Sequence, residues 1–314
     1  MMVIFGIALA WTVLLAFGIA TRITRTHRTI VETARRVSAG DLSARVSSGS
    51  RTGEMAALAR DINQMIDRLA VLLSSQQQFI ARAAHELRSP LSTLYGELSH
   101  AVRRPRGADE YRAAVEQALR STRKLKDLTE DLLALARVGA RAIAPTQITA
   151  LKEVAAEVQE ELRDLIDERR ITVRVFGEDL RVEGRPSDLA RMLRNLVENA
   201  VRYSPPEGTI DVGFTVSEGT GVIQVVDEGP GVAAEDRSEI FAPFFRRGDQ
   251  VGSQAGSGLG LTIAREIARL HGGDLLLGER VDQRGALFIV RLPLAATSAG
   301  GDERAADGST PDPG

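Results

Sequence analysis

Residues 222–231 read Val-Ile-Gln-Val-Val-Asp-Glu-Gly-Pro-Gly, and this stretch decides the fold of the C-terminal half. Val222 to Val226 form a short apolar run of strand type that ends on the carboxylate of Asp227. Gly229 and Gly231 then supply a turn in which main chain can approach another molecule closely. Working outward, the pattern predicts a strand at Ile210 to Val216, a helix at about Asp188 to Tyr203 and a strand at Ile171 to Phe176. A further helix before these carries Val154, Ala155, Val158, Leu162, Leu165 and Ile166 on one side. Downstream come a helix at about Leu259 to Leu270 and strands at about Asp274 to Glu279 and Ala286 to Leu292. The predicted class is a two-layer α/β sandwich. Strands and helices do not alternate regularly in its middle, which argues against a doubly wound sheet.

Three clusters in this half carry chemistry. Asn195 and Asn199 stand four apart on one helix face, so their side-chain oxygens can converge on one ligand or hydrated cation. Asp227, at its strand terminus, can accept a hydrogen bond from an adenine amino group. Gly256-Ser257-Gly258-Leu259-Gly260 opens a helix, where free N–H groups form a natural phosphate site. It is not a Walker motif, because no Gly-Lys-Ser/Thr follows, and it does not follow a strand as a dinucleotide fingerprint does.

Upstream the chain is helical. Val3 to Ala20 contain no charge, and with Met1, Met2 and Thr21 they reach the length of a membrane-spanning helix over residues 1–21. A signal peptide would carry a charged n-region before the apolar run. Arg22, Arg25, Arg28, Arg35 and Arg36 follow it, which places the remainder in the cytoplasm by the positive-inside rule. Ile23, Ile30 and Val37 keep heptad spacing until Ser38-Ala39-Gly40-Asp41 breaks the helix. From Gly53 a second helix carries Met55, Leu58, Ile62, Met65, Leu69 and Leu72 three and four apart, the stripe of a coiled coil.

A hairpin follows. Its first helix has Phe79, Ile80, Ala83, Ala84, Leu87, Leu91, Leu94 and Leu98. Residues 103–107 interrupt it, and a second helix at about Asp109 to Val138 has Val115, Leu119, Leu125, Leu128, Leu132 and Leu135. Such a hairpin buries one stripe per helix only against a partner, so periodicity predicts a homodimer with a four-helix bundle. His85-Glu86-Leu87-Arg88-Ser89-Pro90 lies on the first helix, with His85 at the edge of the stripe. Pro90 lacks an N–H and is expected to kink the helix one turn on. Taken alone, His85 is an ordinary exposed histidine.

Composition limits the alternatives. The 314 residues suit about two compact units with room for extra helices. With 43% apolar and 26% charged residues and a net charge of -2, the chain is neither disordered nor a general nucleic-acid binder. The absence of cysteine excludes disulfides, iron–sulfur clusters and thiol nucleophiles, and 4% aromatics are too few for base-stacking platforms.

Taken in order, His85 to Pro90, Asn195 to Asn199, Asp227 to Gly231, Phe241 to Phe245 and Gly256 to Gly260 resemble the H, N, G1, F and G2 boxes of sensor histidine kinases. The resemblance covers nearly the whole chain. Residues 22–73, with Gly53-Glu54, resemble a HAMP linker, although Thr24 and Arg25 stand where that family usually has a proline. The implied organisation is a membrane helix over residues 1–21 and a HAMP-like linker over 22–73. A dimerisation and histidine phosphotransfer hairpin over 74–140, a Bergerat-type ATP-binding domain over 146–295 and a disordered tail over 296–314 complete it. The implied location is a bacterial-type cell membrane, single-pass, with the catalytic region cytoplasmic.

The resemblance implies that His85 takes the γ-phosphate of ATP and passes it to an aspartate on the receiver domain of a response regulator. Glu86 would orient or deprotonate the ring. Asn199 matches the family's Mg²⁺ ligand, with Asn195 in support; Arg202 and Tyr203 match phosphate and nucleotide contacts. Asp227 would read adenine, Gly229 and Gly231 would admit the nucleotide, and Gly256, Gly258, Leu259 and Gly260 would close on the phosphates. Arg246 or Arg247, at the start of a glycine-rich lid from Phe245 to Gly256, would reach the γ-phosphate. Ser89 stands where members with phosphatase activity often place threonine or asparagine. The chain begins at what would be the second membrane helix of many members, which implies a longer protein or sensing within the membrane or through a partner. Two other classes share parts of this pattern. A nucleotide-binding scaffold without kinase activity would be expected to have lost one of the boxes, and a chaperone or topoisomerase ATPase lacks the hairpin.

Overall fold

In the computed structural model, residues 2–47, 53–103, 107–140, 147–246, 256–280 and 284–295 are described. The expected tail over 296–314, most of the lid and Arg247 lie outside the described residues. The chain divides into two compact units, Met1–His85 and Glu86–Gly314.

The first unit begins with helix α1, Met2–Ser38, which ends where Gly40 takes a φ of +97°. Among the described residues no helix is long and apolar enough to cross a membrane. The uncharged run expected to do so is the N-terminal half of α1, and its Ile4, Phe5, Trp11 and Phe17 are between 69% and 75% exposed. After α1, Asp41 accepts from the Ser43 hydroxyl and amide and pairs with Arg36 at 2.6 Å. The Ser43 hydroxyl, followed by Arg36, holds the Asp41 carboxyl down to about 2. The following strap is tied to helix α2, Glu54–Arg103, by Asn63, which accepts from the Val46 N–H at 2.9 Å and donates to the Val46 carbonyl at 3.1 Å.

Helix α2 is one 50-residue helix that carries both the coiled-coil stripe and the first hairpin helix, and it runs on through Pro90. Its expected coiled-coil stripe is open in the single chain: Met55, Leu58, Met65, Leu69 and Leu72 are exposed, while Ala56, Ala59 and Ile66 are buried. The small alanines are covered within the unit, and the larger side chains of the stripe are left exposed. Helix α3, Ala108–Ala140, shows the same division, with Ala114, Ala118 and Leu128 buried and Val115 and Leu119 exposed.

The ATP-domain candidate is a mixed five-stranded sheet. Its strands are β2, Thr172–Gly177; β4, Thr209–Ser217; β5, Thr220–Val226; β6, Asp274–Leu277; and β7, Leu287–Pro293, ordered β2-β4-β5-β7-β6. Only β2 and β4 run parallel; the other pairs are antiparallel. A small sheet that the sequence did not reveal pairs β1, Gln147–Ala150, with β3, Arg181–Gly184. The expected first helix is split at Leu162 into α4, Leu151–Glu161, and α5, Arg163–Glu168.

Alternation sets the layers. Ile210, Val212 and Phe214 of β4, Ile223 and Val225 of β5, and Phe288, Val290 and Leu292 of β7 all turn inward and are buried. Helix α6, Pro186–Tyr203, answers with Leu189, Met192, Leu193, Leu196, Val197, Ala200 and Val201 at helical spacing. Helix α7, Gly260–Leu270, adds Ile263, Ala264, Ile267 and Ala268. Arg265 fixes α7 to β6 by a two-pronged pair with Asp274 at 2.8 and 3.0 Å, and its guanidinium lies 4.7 Å from the Phe241 ring centroid.

Candidate nucleotide and phosphoacceptor site

Strand β5 delivers Asp227 to the end of the sheet, where it is 2% exposed. Its Oδ1 accepts from the Gly229 N–H at 2.8 Å and the Ala286 N–H at 2.9 Å, and Arg280 donates to its main-chain oxygen at 2.8 Å. Burial pushes the carboxyl above its ordinary value, against the opposing pull of the two amides and Arg280. The glycines around it are structural requirements. A side chain on Gly285 would put its Cβ 1.7 Å from the Asp227 carbonyl oxygen at a φ of +73°. One on Gly229 would meet the Tyr203 carbonyl at 2.8 Å, so the Asp227 turn lies directly against the end of α6. A cavity of about 440 Å³ flanks this turn between Pro230, Gly231, Val232, Arg237 and the Leu277 to Arg280 segment.

Helix α6 brings its polar residues to the N-terminus of α7. The Asn195 side-chain oxygen lies 3.4 Å from where a Cβ on Gly260 would sit. Its Nδ2 is buried with no partner among the described residues, and such a group costs about 1–3 kcal/mol unless something satisfies it. Asn199, one turn on, is half-buried. Arg202 bonds Glu198 at 2.8 Å and rests against Gly256, where an added Cβ would lie 2.2 Å from its guanidinium. Gly258 has a φ of +71°, and its carbonyl accepts from the Phe244 N–H at 3.0 Å. Phe244 itself has a φ of +61°, a conformation phenylalanine rarely adopts, so the Phe241 to Phe245 box is held in a strained shape against the glycine cluster. Leu259 is fully buried beneath the cluster.

Two contacts join hairpin residues to these loops within the second unit. Arg246 lies 3.5 Å from the Glu86 carboxylate. Asp131 of α3 accepts from the Ser257 hydroxyl at 2.8 Å and from Arg191 at 2.9 Å. His85 and Ser89 are both exposed on α2. Along α6, Asn195 lies beside Gly260, Arg202 against Gly256 and Tyr203 against Gly229 of the Asp227 turn, so one helix touches both glycine clusters, and Glu86 is tied to Arg246. Ser89 stands outside these contacts, and His85 closes the first unit.

Sequence reasoning did not find Gly285, Ala286, Arg280, Asp131 or Arg191. For Gly285 a signal existed, a glycine immediately before a strand. The others depend on which elements meet and leave no local trace.

Three family models match the chain: a HAMP domain over residues 18–70, a His Kinase A (phospho-acceptor) domain over 75–141, and a histidine kinase-, DNA gyrase B- and HSP90-like ATPase over 184–296. The sensor protein CutS of Streptomyces coelicolor is 34% identical over 292 residues, which span 92% of this chain and 68% of CutS. The sensor protein kinase PmrB of Pseudomonas aeruginosa is 32% identical over 244 residues, 76% of this chain and 50% of PmrB. In fold, the chain is similar to histidine kinase ThkA, solved in complex with response regulator protein TrrA, with a TM-score of 0.59 at 23% identity over 78% of this chain and 68% of that one. The ordered boxes, the three matched domains and the extent of the likeness to CutS make this chain a member of the sensor histidine kinases of two-component systems, ATP-dependent enzymes that phosphorylate a histidine of their own.

Proposed function

We propose that this chain is a membrane-anchored homodimeric kinase in which His85 is the phosphoacceptor and the site between α6 and α7 holds Mg²⁺ and ATP. The observation that carries the nucleotide reading is Asp227. Its Oδ1 is occupied by two main-chain donors, while its Oδ2 takes no hydrogen bond among the described residues and is left to accept from the adenine amino group. Gly229 and Gly231 give that base access, and Tyr203 packs beside it. Gly256, Gly258, Leu259 and Gly260 offer main-chain N–H groups at the start of α7 to the phosphates, with Arg202 alongside.

Mg²⁺ fits these residues. The buried, unsatisfied Asn195 Nδ2 beside the phosphate cradle is a donor that a phosphate oxygen would satisfy, and a hard cation held on that phosphate would take an oxygen donor such as the Asn199 amide oxygen while keeping waters. The ion would offset phosphate charge during transfer. Glu86 orients or deprotonates the His85 imidazole, whose ring nitrogen is the nucleophile. Arg246, which lies 3.5 Å from the Glu86 carboxylate, would exchange that partner for the γ-phosphate. The phosphoryl group then passes to an aspartate of a response regulator receiver domain, and the Ser89 hydroxyl would position a water that hydrolyses the regulator's aspartyl phosphate to aspartate and inorganic phosphate.

The open stripes of α2 and α3 support a dimer, and the exposed apolar residues of α1 support an anchor over residues 1–21 in a bacterial cell membrane. The linker, hairpin and ATP-binding domain then occupy residues 22–73, 74–140 and 146–295, on the cytoplasmic side.

Incubation of the full chain with Mg²⁺ and γ-labelled ATP, alongside His85→Gln and Asn199→Ala, tests this. The expected label is acid-labile, alkali-stable and absent from both variants. Label persisting in His85→Gln would reassign the acceptor. Nucleotide binding without label in the wild type would leave only a non-catalytic scaffold.

A further inference from the structure

Asp131 belongs to the hairpin, yet both of its oxygens are engaged by the ATP-binding domain. Oδ1 accepts from Arg191 of α6 at 2.9 Å and Oδ2 from the Ser257 hydroxyl at 2.8 Å, with the carboxylate side chain only 20% exposed. The Ser257 oxygen in turn accepts the Leu259 N–H at 3.2 Å. A continuous chain of carboxylate, hydroxyl and amide therefore runs from the C-terminal third of α3 to Leu259, the residue that caps the N-terminus of α7. The amide at its end is one of the unpaired helix-terminal donors that an incoming phosphate needs. A hydroxyl already donating to a carboxylate is also a better acceptor, which strengthens its hold on that N–H.

Building on the nucleotide site proposed above, we infer that Asp131 is a positioning residue that acts through Ser257 as a brake on the phosphate loop. The clasp holds the Leu259 amide away from phosphate and adds a negative charge beside the place where phosphate must sit. Binding of ATP and release of Asp131 then oppose each other, and by linkage the effect is reciprocal. Displacement of α3 raises affinity for ATP, and bound ATP loosens α3. The hairpin helix thus reports its position to the nucleotide site through one carboxylate.

The test uses the full chain with Mg²⁺ and measures binding of a non-hydrolysable ATP analogue and of adenosine by calorimetry. Asp131→Ala is expected to bind the analogue roughly five- to tenfold more tightly, a typical coupling for linked sites, and to bind adenosine, which lacks phosphates, as the wild type does. In autophosphorylation the KM for ATP falls by a similar factor while kcat changes less. Ser257→Ala should reproduce the gain, and the double variant should add nothing to either single one. Asp131→Asn keeps an acceptor for Ser257 but removes the charge, and it should fall between. It also serves if the alanine variant folds poorly.

Affinity of Asp131→Ala for the analogue within twofold of the wild type, or weaker, overturns the brake. So does an equal gain for adenosine, because Asp131 would then act on the whole domain. If the wild type binds neither ligand, the nucleotide-site reading itself falls.

Discussion

Replacing Asp227 by asparagine separates recognition from stability. The asparagine keeps an oxygen where Oδ1 accepts the Gly229 and Ala286 amides at 2.8 and 2.9 Å, so the turn can survive. At the Oδ2 position an NH₂ donor would face the adenine amino group, which is also a donor. Loss of one charged hydrogen bond is worth about 1.5–3 kcal/mol, and the unpaired donors add about 1–3 kcal/mol. A total of about 4 kcal/mol corresponds to a roughly thousandfold rise in Kd for ATP.

The effect on the fold has the opposite sign. Burial raises the folded-state pKa of Asp227 above its unfolded value, so the folded chain binds the proton more tightly. Stability then falls as pH rises through that window, because ionising the buried carboxyl is a net cost to the fold. The asparagine variant escapes that cost and gives up only the charge assistance of two amide bonds, so the unfolding temperature stays level or rises. Guanine presents an acceptor at the corresponding position, so the preference for ATP over GTP should collapse in the variant. Competition against a fluorescent nucleotide, run beside a thermal melt, measures both. A folded Asp227→Asn protein that binds ATP within tenfold of the wild type would refute the assignment of this carboxylate to the base.

Gly285→Ala, which drives a Cβ to 1.7 Å from the Asp227 carbonyl oxygen at a left-handed φ, should destabilise the ATP-binding domain by more than about 3 kcal/mol in urea melts. Asp274 is held down to about 2, first by the hydrogen bond from Arg265, so its contribution to stability is complete above about pH 4 and lost toward pH 2. Asp274→Asn should therefore be less stable than the wild type at pH 7 and indistinguishable from it near pH 2. In the hairpin, Leu119→Glu places a charge on a side chain that is 48% exposed in the single chain. Light scattering should show the variant as a monomer, with the ATP-binding domain still folded; a persistent dimer would remove the hairpin from the interface.

The sheet and its helices were legible because inward-facing residues keep their period: Ile210, Val212 and Phe214 alternate, and Leu189, Leu193, Leu196 and Ala200 keep helical spacing. The Asp227 turn and the glycine cluster were legible because their glycines mark backbone that other residues cannot adopt. The small β1–β3 sheet was not, since Gln147 to Ala150 and Arg181 to Gly184 are four residues each and pair across 30 intervening positions. The break at Leu162 left no mark either, because the apolar stripe continues across it. Nor could sequence show that Asp131 meets Ser257, 126 positions away; such pairs are products of packing. The coiled-coil stripe was read correctly as a periodicity, yet the single chain buries the neighbouring alanines in its place.

Helix α2 runs unbroken from Glu54 to Arg103, about 75 Å at about 1.5 Å per residue, and the ends of two matched domains, residues 70 and 75, lie inside it. From Glu54 to His85 the helix is continuous within the first unit, so the azimuth of His85 follows that of Met55 as two marks on one screw do. One residue inserted after Leu72 would turn the histidine by about 100° and advance it about 1.5 Å, whereas seven would restore its phase to within about 20°. Signalling output should therefore oscillate with insertion length.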